Sequence, residues 1–241
     1  MPRRGPNTGS RSREVLRARR PARRTYHHGD LRAALLAAAE ALIAERGLDG
    51  FSLREAARRA GVSPAAPSHH FGDTAGLLTE LAIDGFERLS ATLAAATEAG
   101  GADPIARYRA QGAGYVAFAM ANPGRFRLMF RVGLVDDADP RLDQARRVAF
   151  GHLLDVVRPA VGRSPDAPLD PPLLATAFGA WSMVHGYSHL ALDGLIDRFG
   201  PPGPPGAFAA GMAEAVLTGV PLLPAAASAA ASRPRPGRKR R

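Results

Sequence analysis

The stretch Phe51-Ser-Leu-Arg-Glu-Ala-Ala-Arg-Arg-Ala-Gly-Val-Ser-Pro-Ala-Ala-Pro-Ser-His-His-Phe71 has the pattern of two short helices joined by a tight turn. Ser52 and Glu55 match a capping box, in which each side chain bonds the main chain of the other residue. Gly61 can take the left-handed conformation that ends a helix, and Ser63 before a proline can start the next. The stretch predicts a helix-turn-helix whose second helix, about residues 64–71, would lie in the major groove of DNA.

The charge distribution supports a nucleic-acid partner, although a tight helical pair in an ordinary bundle would show the same short pattern. The chain has 241 residues and a formal charge of +10, of which residues 1–24 carry +8 and residues 233–241 carry +6. The remaining body is therefore mildly acidic. A basic arm before the first helix could bind phosphates or the minor groove; the alternative is a solvated tail without a specific role.

Apolar residues recur at helical spacing between the two basic ends, and no alternating strand pattern is present. We predict an all-α protein of about nine helices, the longest near residues 31–46, 74–96, 104–121, 141–161, 172–195 and 207–219. The predicted organisation is a disordered basic arm (1–24), a helix-turn-helix domain (25–73), a helical ligand-binding and dimerisation body (74–220) and a disordered basic tail (221–241). The charge-free stretch 171–192 contains two Pro and two His, so a buried helix is favoured over a membrane span.

The stretch Gly61-Val-Ser-Pro-Ala-Ala-Pro-Ser-His-His-Phe-Gly-Asp-Thr-Ala-Gly-Leu-Leu78 resembles the N-terminal domain of TetR/AcrR-type transcriptional regulators, over about residues 28–86. Trp181-Ser-Met-Val-His-Gly186 resembles the Trp-His-Gly signature of one C-terminal class in that family, and Asn122-Pro-Gly-Arg-Phe-Arg-Leu-Met-Phe130 is similar to the same class. The resemblance implies a homodimer with one DNA-reading helix per subunit, which would bind a palindromic double-stranded DNA operator, and the absence of cysteine fits a cytoplasmic location. It further implies a repressor released by a small apolar effector.

The family's DNA contacts, carried over to this chain, fall on Ser52, Arg54, Ser63, Ala65, Ala66, Ser68, His69, His70 and Thr74. The family often has Tyr at the position of Ser68 and Lys at that of Thr74, and both usually touch phosphate. Ser and Thr reach less far and carry no charge, while Ala65 and Ala66 offer only methyl contacts, for instance to thymine. Few direct contacts with base edges are therefore expected, and we expect the basic arm to supply the missing affinity for DNA.

The resemblance also implies a ligand cavity in the C-terminal body, although its aromatic residues could equally form an ordinary core. The candidate lining residues are Phe118, Phe126, Met129, Phe130, His152, Trp181, His185 and Tyr187. The helices near 172–192 and 207–219 are expected to form the dimer interface, where Gly179, Ala180, Gly186 and Gly194 would allow close approach.

Other chemistries receive little support from the sequence. His185, His189 and Asp193 recur at four-residue spacing and could share a metal, but a packing role is favoured and we expect neither a metal nor a cofactor. Cysteine is absent, which excludes thiol catalysis. The chain also lacks a Gly-rich phosphate loop, a nucleophile elbow and a paired catalytic carboxylate motif, so we do not expect an enzyme. The alternatives that remain are a non-specific basic nucleic-acid-binding protein and, with less support, an enzyme that uses the C-terminal cavity.

Overall fold

The structure, a computed structural model, describes residues 28–219, with side chains from residue 31 onward. Within this range the chain forms nine α-helices, one short 3-10 helix and no strand, so the all-α prediction is confirmed. The helices are α1 (His28–Arg46), α2 (Leu53–Arg59), α3 (Ala66–Phe71), α4 (Thr74–Ala99), α5 (Pro104–Ala121), α6 (Pro123–Met129), α7 (Pro140–Ala160), α8 (Pro171–Leu192) and α9 (Ala207–Gly219). The predicted arm and tail lie outside the described residues.

Four of the longer helices begin at an aspartate whose side chain accepts a main-chain hydrogen bond from the first turn. Asp73, Asp103, Asp139 and Asp170 accept from N–H groups of α4, α5, α7 and α8 at 2.8–2.9 Å. Proline follows three of these aspartates, at the position where its missing N–H costs nothing. Each cap stabilises its helix by about 1 kcal/mol, and together they explain why these helices begin where they do.

Two details of the predicted helix-turn-helix are wrong. The Ser52 side chain makes no capping bond, and the Glu55 carboxylate binds Arg58 at 2.7 and 2.8 Å instead of the main chain of Ser52. The second helix begins at residue 66 instead of 64. A helix capped by Ser63 would need an N–H at residue 67 to bond the Ser63 carbonyl, and that residue is proline. The Ser63 carbonyl accepts instead from the N–H of Ala66, at 3.0 Å.

Most other predicted boundaries differ from the structure by one to three residues. The bounds of α5 and α9 are confirmed, whereas α1 begins at His28, three residues before the predicted start. α8 ends at Leu192, three residues early. Gly194, with φ +67°, follows that end and turns the chain away.

A single buried apolar cluster joins the helix-turn-helix to the C-terminal body. α4 runs through it: Leu77, Leu81 and Leu89 belong to the same cluster as Leu35 and Ala39 of α1, and α4 contacts α1, α5 and α6. The 26-residue α4 thereby holds the N-terminal helices against the body. None of the helices between residues 28 and 219 has the length and hydropathy that a bilayer span requires.

Candidate functional site

The turn between α2 and α3 has the geometry that the sequence predicts. Gly61 adopts φ +70°, a conformation that strains any residue with a side chain. The N–H of Val62 donates to the carbonyl of Ala57 at 3.0 Å, and the Ala57 side chain is fully buried where the helices approach. This short, fixed connection sets the angle between α2 and α3.

The outer side of α3 faces solvent because its inner side is anchored. Pro67 is buried and Phe71 packs partly against the core. A methyl group on Gly76 of α4 would lie 1.9 Å from the Phe71 carbonyl oxygen, so α3 and α4 meet backbone to backbone. Of the nine predicted DNA contacts, Ala66 and His70 are half-buried. The other seven are exposed: Ser52, Arg54, Ser63, Ala65, Ser68, His69 and Thr74.

Most arginines near this surface are engaged in ion pairs within the domain. Glu55 binds Arg58 and lies 3.5 Å from Arg59 and 3.8 Å from Arg46. The hydrogen bond from Arg58, followed by the charges of these arginines, lowers the pKa of Glu55 to about 2. Arg54 is exposed and makes no ion pair in the part of the chain that the structure describes. Little cationic charge is therefore free on α2 to meet phosphate.

The C-terminal body contains a cavity of about 540 Å³, within the range of ~300–1,000 Å³ typical of small-molecule sites. Its wall is mainly apolar, with Phe86, Leu89 and Leu93 from α4 and Phe150 and Leu154 from α7. The sequence prediction missed this contribution from α4, since these residues follow the same spacing as any other core position.

Three of the eight predicted ligand-binding residues line this cavity: Met129, Phe130 and Trp181. Phe118 and Phe126 are instead buried in the core. The hydroxyl of Tyr187 donates to the Ala209 carbonyl, which ties α8 to α9, while the His152 main chain accepts from Gln111 at 2.9 Å. His185 lies behind the wall rather than on it.

Part of the cavity wall belongs to a hydrogen-bonded group in which Tyr115 and Trp181 line the cavity and His185 lies behind them. Trp181 Nε1 donates to the Tyr115 hydroxyl at 3.3 Å, and that hydroxyl lies 2.8 Å from His185 Nδ1. Burial raises the pKa of Tyr115. Burial, with a smaller contribution from the adjacent His189, lowers the pKa of His185 to about 4. The Tyr115 hydroxyl is therefore set to donate to a neutral imidazole.

This low pKa predicts a loss of stability in acid. An unfolded histidine takes up a proton below about pH 6.5 whereas the folded His185 resists until about pH 4, so the free energy of unfolding should decrease as pH falls between these values. We expect a loss of about 2 kcal/mol between about pH 7.5 and pH 5 that is absent in His185→Gln, measured by urea denaturation. His69→Gln changes an exposed histidine and should keep the wild-type dependence. An unchanged dependence in His185→Gln would contradict the assignment.

His185, His189 and Asp193 do not form the hypothetical metal site. The two imidazole rings contact each other, with centroids 4.7 Å apart, but Asp193 pairs with Arg127 at 2.6 Å. Among the described residues no group of three or more His, Asp or Glu side chains is arranged to hold a metal ion.

The α6 helix connects the cavity to the helix-turn-helix. Met129 lines the cavity from the end of α6, and Arg125, one turn earlier and 2% exposed, reaches Glu40 of α1 at 2.5 and 2.9 Å. Arg125 also pairs with Asp84 of α4. Just after α6, Arg131 lies at the cavity and 3.8 Å from Asp49, in the α1–α2 loop. The sequence prediction assigned no role to Arg125, since a buried arginine has no distinctive spacing.

Comparisons with known proteins agree with this arrangement. Residues 35–81 match the family model described as bacterial regulatory proteins, tetR family, and residues 108–216 match the model of the tetracyclin repressor-like C-terminal domain. The chain is 34% identical to a protein with unknown function from Rhodococcus sp. RHA1, with a TM-score of 0.65 over 82% of this chain and 99% of that chain. No curated protein matches the chain.

Two further solved structures are similar in fold. The TetR family transcriptional regulator PfmR from Thermus thermophilus is 22% identical, with a TM-score of 0.56 over 76% of this chain and 97% of that chain. A transcriptional regulator from Rhodococcus sp. Rha1 is also 22% identical, with a TM-score of 0.57 over 78% of this chain and 94% of that chain.

The two matched family models cover the two parts of the chain that contain the candidate sites. The first contains the helix-turn-helix, and the second contains most of the cavity wall together with the motifs at residues 122–130 and 181–186. The narrower Trp-His-Gly class stays a prediction. The chain belongs to the TetR family of bacterial transcriptional regulators.

Proposed function

We propose that this protein is a cytoplasmic, homodimeric repressor that a small apolar effector releases from a palindromic DNA operator. The observation that carries the proposal is that helix α3, with an exposed outer side, and an apolar cavity of about 540 Å³ are joined by the same buried core. A DNA-reading surface and a ligand site built on one core can influence each other, which is what a ligand-responsive regulator requires.

The proposed reading surface is the exposed side of α3 with the ends of the neighbouring helices. The methyl groups of Ala65 and Ala66 would contact thymine, and Ser68 and His69 would supply hydrogen bonds. Thr74 at the start of α4 and Arg54 on α2 would contact phosphates. In a dimer, two such surfaces one helical turn apart match a palindrome.

The proposed dimer interface is the exposed face of α8 and α9. Phe178, Leu190 and Met212 are large apolar side chains that are 36–49% exposed in the single chain, and Phe178 also borders the cavity. Gly179 and Gly186 are exposed on α8, and a methyl group added to either would meet no atom within 4 Å of its own chain, so a partner helix could approach closely. The predicted contributor Ala180 is buried and lines the cavity instead.

The proposed switch acts through α6. An effector that packs against Met129 contacts the same helix that holds Glu40 of α1 through Arg125. A methyl group added to Gly124 of α6 would lie 2.9 Å from the Ile43 side chain, so α6 and α1 also touch directly. An effector that prefers one position of α6 would shift the population of DNA-binding conformers by its difference in affinity for the two.

Selection of bound duplexes from a random DNA library tests the proposed function. We expect the full-length protein to enrich a palindrome whose half-site centres are about 10 base pairs, or a multiple of one helical turn, apart. Enrichment of no sequence, with equal binding to palindromic and scrambled duplexes, would instead indicate a non-specific nucleic-acid-binding protein. The mass of the protein–DNA complex in analytical ultracentrifugation gives the number of protomers bound.

A further inference from the structure

The cavity has an uneven distribution of polarity. Its interior is formed by apolar side chains such as Leu89, Leu93 and Val184, whereas Arg131, Arg146 and Arg147 line its mouth. The side chains of these arginines are 58%, 33% and 73% exposed, which places their charges at the solvent side. Among the described lining residues there is neither Asp nor Glu. The mouth therefore carries three guanidinium groups, each paired with an aspartate that does not line the cavity (Asp49, Asp137 and Asp143), whereas the interior carries no charge.

The polar groups inside the cavity are neutral, and those of Gln111, Tyr115 and Trp181 are hydrogen-bonded to the protein itself. Gln111 uses its Nε2 hydrogens on Thr97 Oγ1 and the His152 carbonyl, both at 2.9 Å, which leaves only its Oε1 for a ligand. Trp181 and Tyr115 bond each other, and burial raises the pKa of Tyr108 and keeps it neutral. Burial of an unpaired charge among such groups would be costly. A charged group on a ligand would thus lie at the mouth.

Arg146 is the best-placed arginine to receive that charge. It is the least exposed of the three, and its guanidinium carbon lies 6.0 Å from the centre of the Phe86 ring. One of its nitrogens donates to Asp137 at 2.9 Å, which leaves other donors of the guanidinium fork available for a second carboxylate. Asp137 is itself about half exposed and does not line the cavity.

We propose that the ligand of this cavity is an apolar carboxylate, whose hydrocarbon or aromatic body fills the interior and whose carboxylate binds Arg146 at the mouth. Arg131 and Arg147 also line the cavity, and each already pairs with an aspartate, Asp49 and Asp143 respectively, so Arg146 is the proposed anchor. The inference deepens the proposed function, because it rests on the cavity being the effector site and names the chemical class of the effector.

Tryptophan fluorescence tests this ligand class directly. Trp181 is the only tryptophan of the chain and lines the cavity, so its emission reports occupancy. Full-length protein is titrated with dodecanoate and with the neutral dodecan-1-ol, which has the same chain length, both below their aggregation limits. We expect dodecanoate to bind about 10-fold or more tightly than the alcohol, since a charged hydrogen bond contributes about 1.5–3 kcal/mol.

Arg146→Gln should reduce this preference for the carboxylate to less than about threefold while the alcohol still binds, which shows that the cavity is intact. The matched control is Arg109→Gln, which removes an exposed arginine of α5 outside the cavity and should keep the wild-type ratio. Equal affinities of the two probes for the wild-type protein, no response to either probe, or an undiminished preference in Arg146→Gln would each overturn the inference.

The fluorescence titration contains no DNA, so its outcome is separate from that of the proposed function. A preference for the carboxylate without release of DNA would uphold the ligand class and contradict the proposed switch. Release of DNA by the neutral alcohol at the same concentration as by dodecanoate would uphold the proposed switch and contradict the ligand class.

Discussion

Deletion of residues 1–24 is expected to lower the affinity for operator DNA by about 10- to 100-fold at physiological salt and to flatten its salt dependence. The deletion removes a net charge of +8, while the cations of α2 are largely neutralised by Glu45 and Glu55. If the segment neutralises about four phosphates, the slope of log affinity against log salt should become less steep by roughly 3.6. Fluorescence anisotropy with a labelled operator over a range of salt concentrations measures both quantities.

Arg54→Ala calibrates this experiment, because it removes one exposed arginine next to the reading helix. If Arg54 contacts one phosphate, the slope should change by about 0.9. Affinity and slope that remain unchanged after deletion of residues 1–24 would show that the basic segment does not bind the operator, and that α3 and its surroundings supply the affinity alone.

Arg125→Ala is expected to destabilise the fold by about 2–4 kcal/mol. The guanidinium of Arg125 is almost fully buried between Glu40 and Asp84, and its removal leaves both carboxylates facing the gap. The expected loss lies near the low end for broken buried ion pairs because these carboxylates are 35% and 38% exposed and water can partly solvate them. Urea denaturation, followed by far-UV circular dichroism, gives the change in the free energy of unfolding.

Arg88→Ala is the matched control for Arg125→Ala. Arg88 pairs with the same Asp84 at 2.9 Å, but its side chain is 56% exposed, and exposed pairs one helical turn apart contribute about 0.5 kcal/mol or less. Similar effects of the two substitutions would mean that Arg125 stabilises the fold no more than a surface ion pair does.

The sequence predicts the helices well where the signal is local. The turn at Gly61 and the end of α1 at Gly47 depend on positive φ values that glycine readily adopts. The errors arise where two local signals compete. Ser63 is a good helix cap, but the missing N–H of Pro67 delays the helix, and Glu55 satisfies the capping-box pattern yet binds Arg58 instead.

The cavity is harder to predict because its wall depends on how distant helices pack. Phe126 and Phe130 lie one turn apart on or next to α6, yet the first is buried in the core and the second lines the cavity. Arg146 would be read from sequence as an ordinary charge on the solvent side of α7. Its position at the mouth follows only from the folded arrangement of α4, α6 and α7.

The contact between Arg131 and Asp49 gives the cavity mouth a weak tether to the α1–α2 loop. At 3.8 Å, with side chains 58% and 94% exposed, such a pair contributes at most about 1 kcal/mol and is screened by salt. A carboxylate that drew Arg131 toward the mouth would compete with Asp49 for the same guanidinium. A tether of this strength can bias the orientation of the N-terminal helices by no more than about fivefold, so it would adjust the sensitivity of the regulator without locking it in either state.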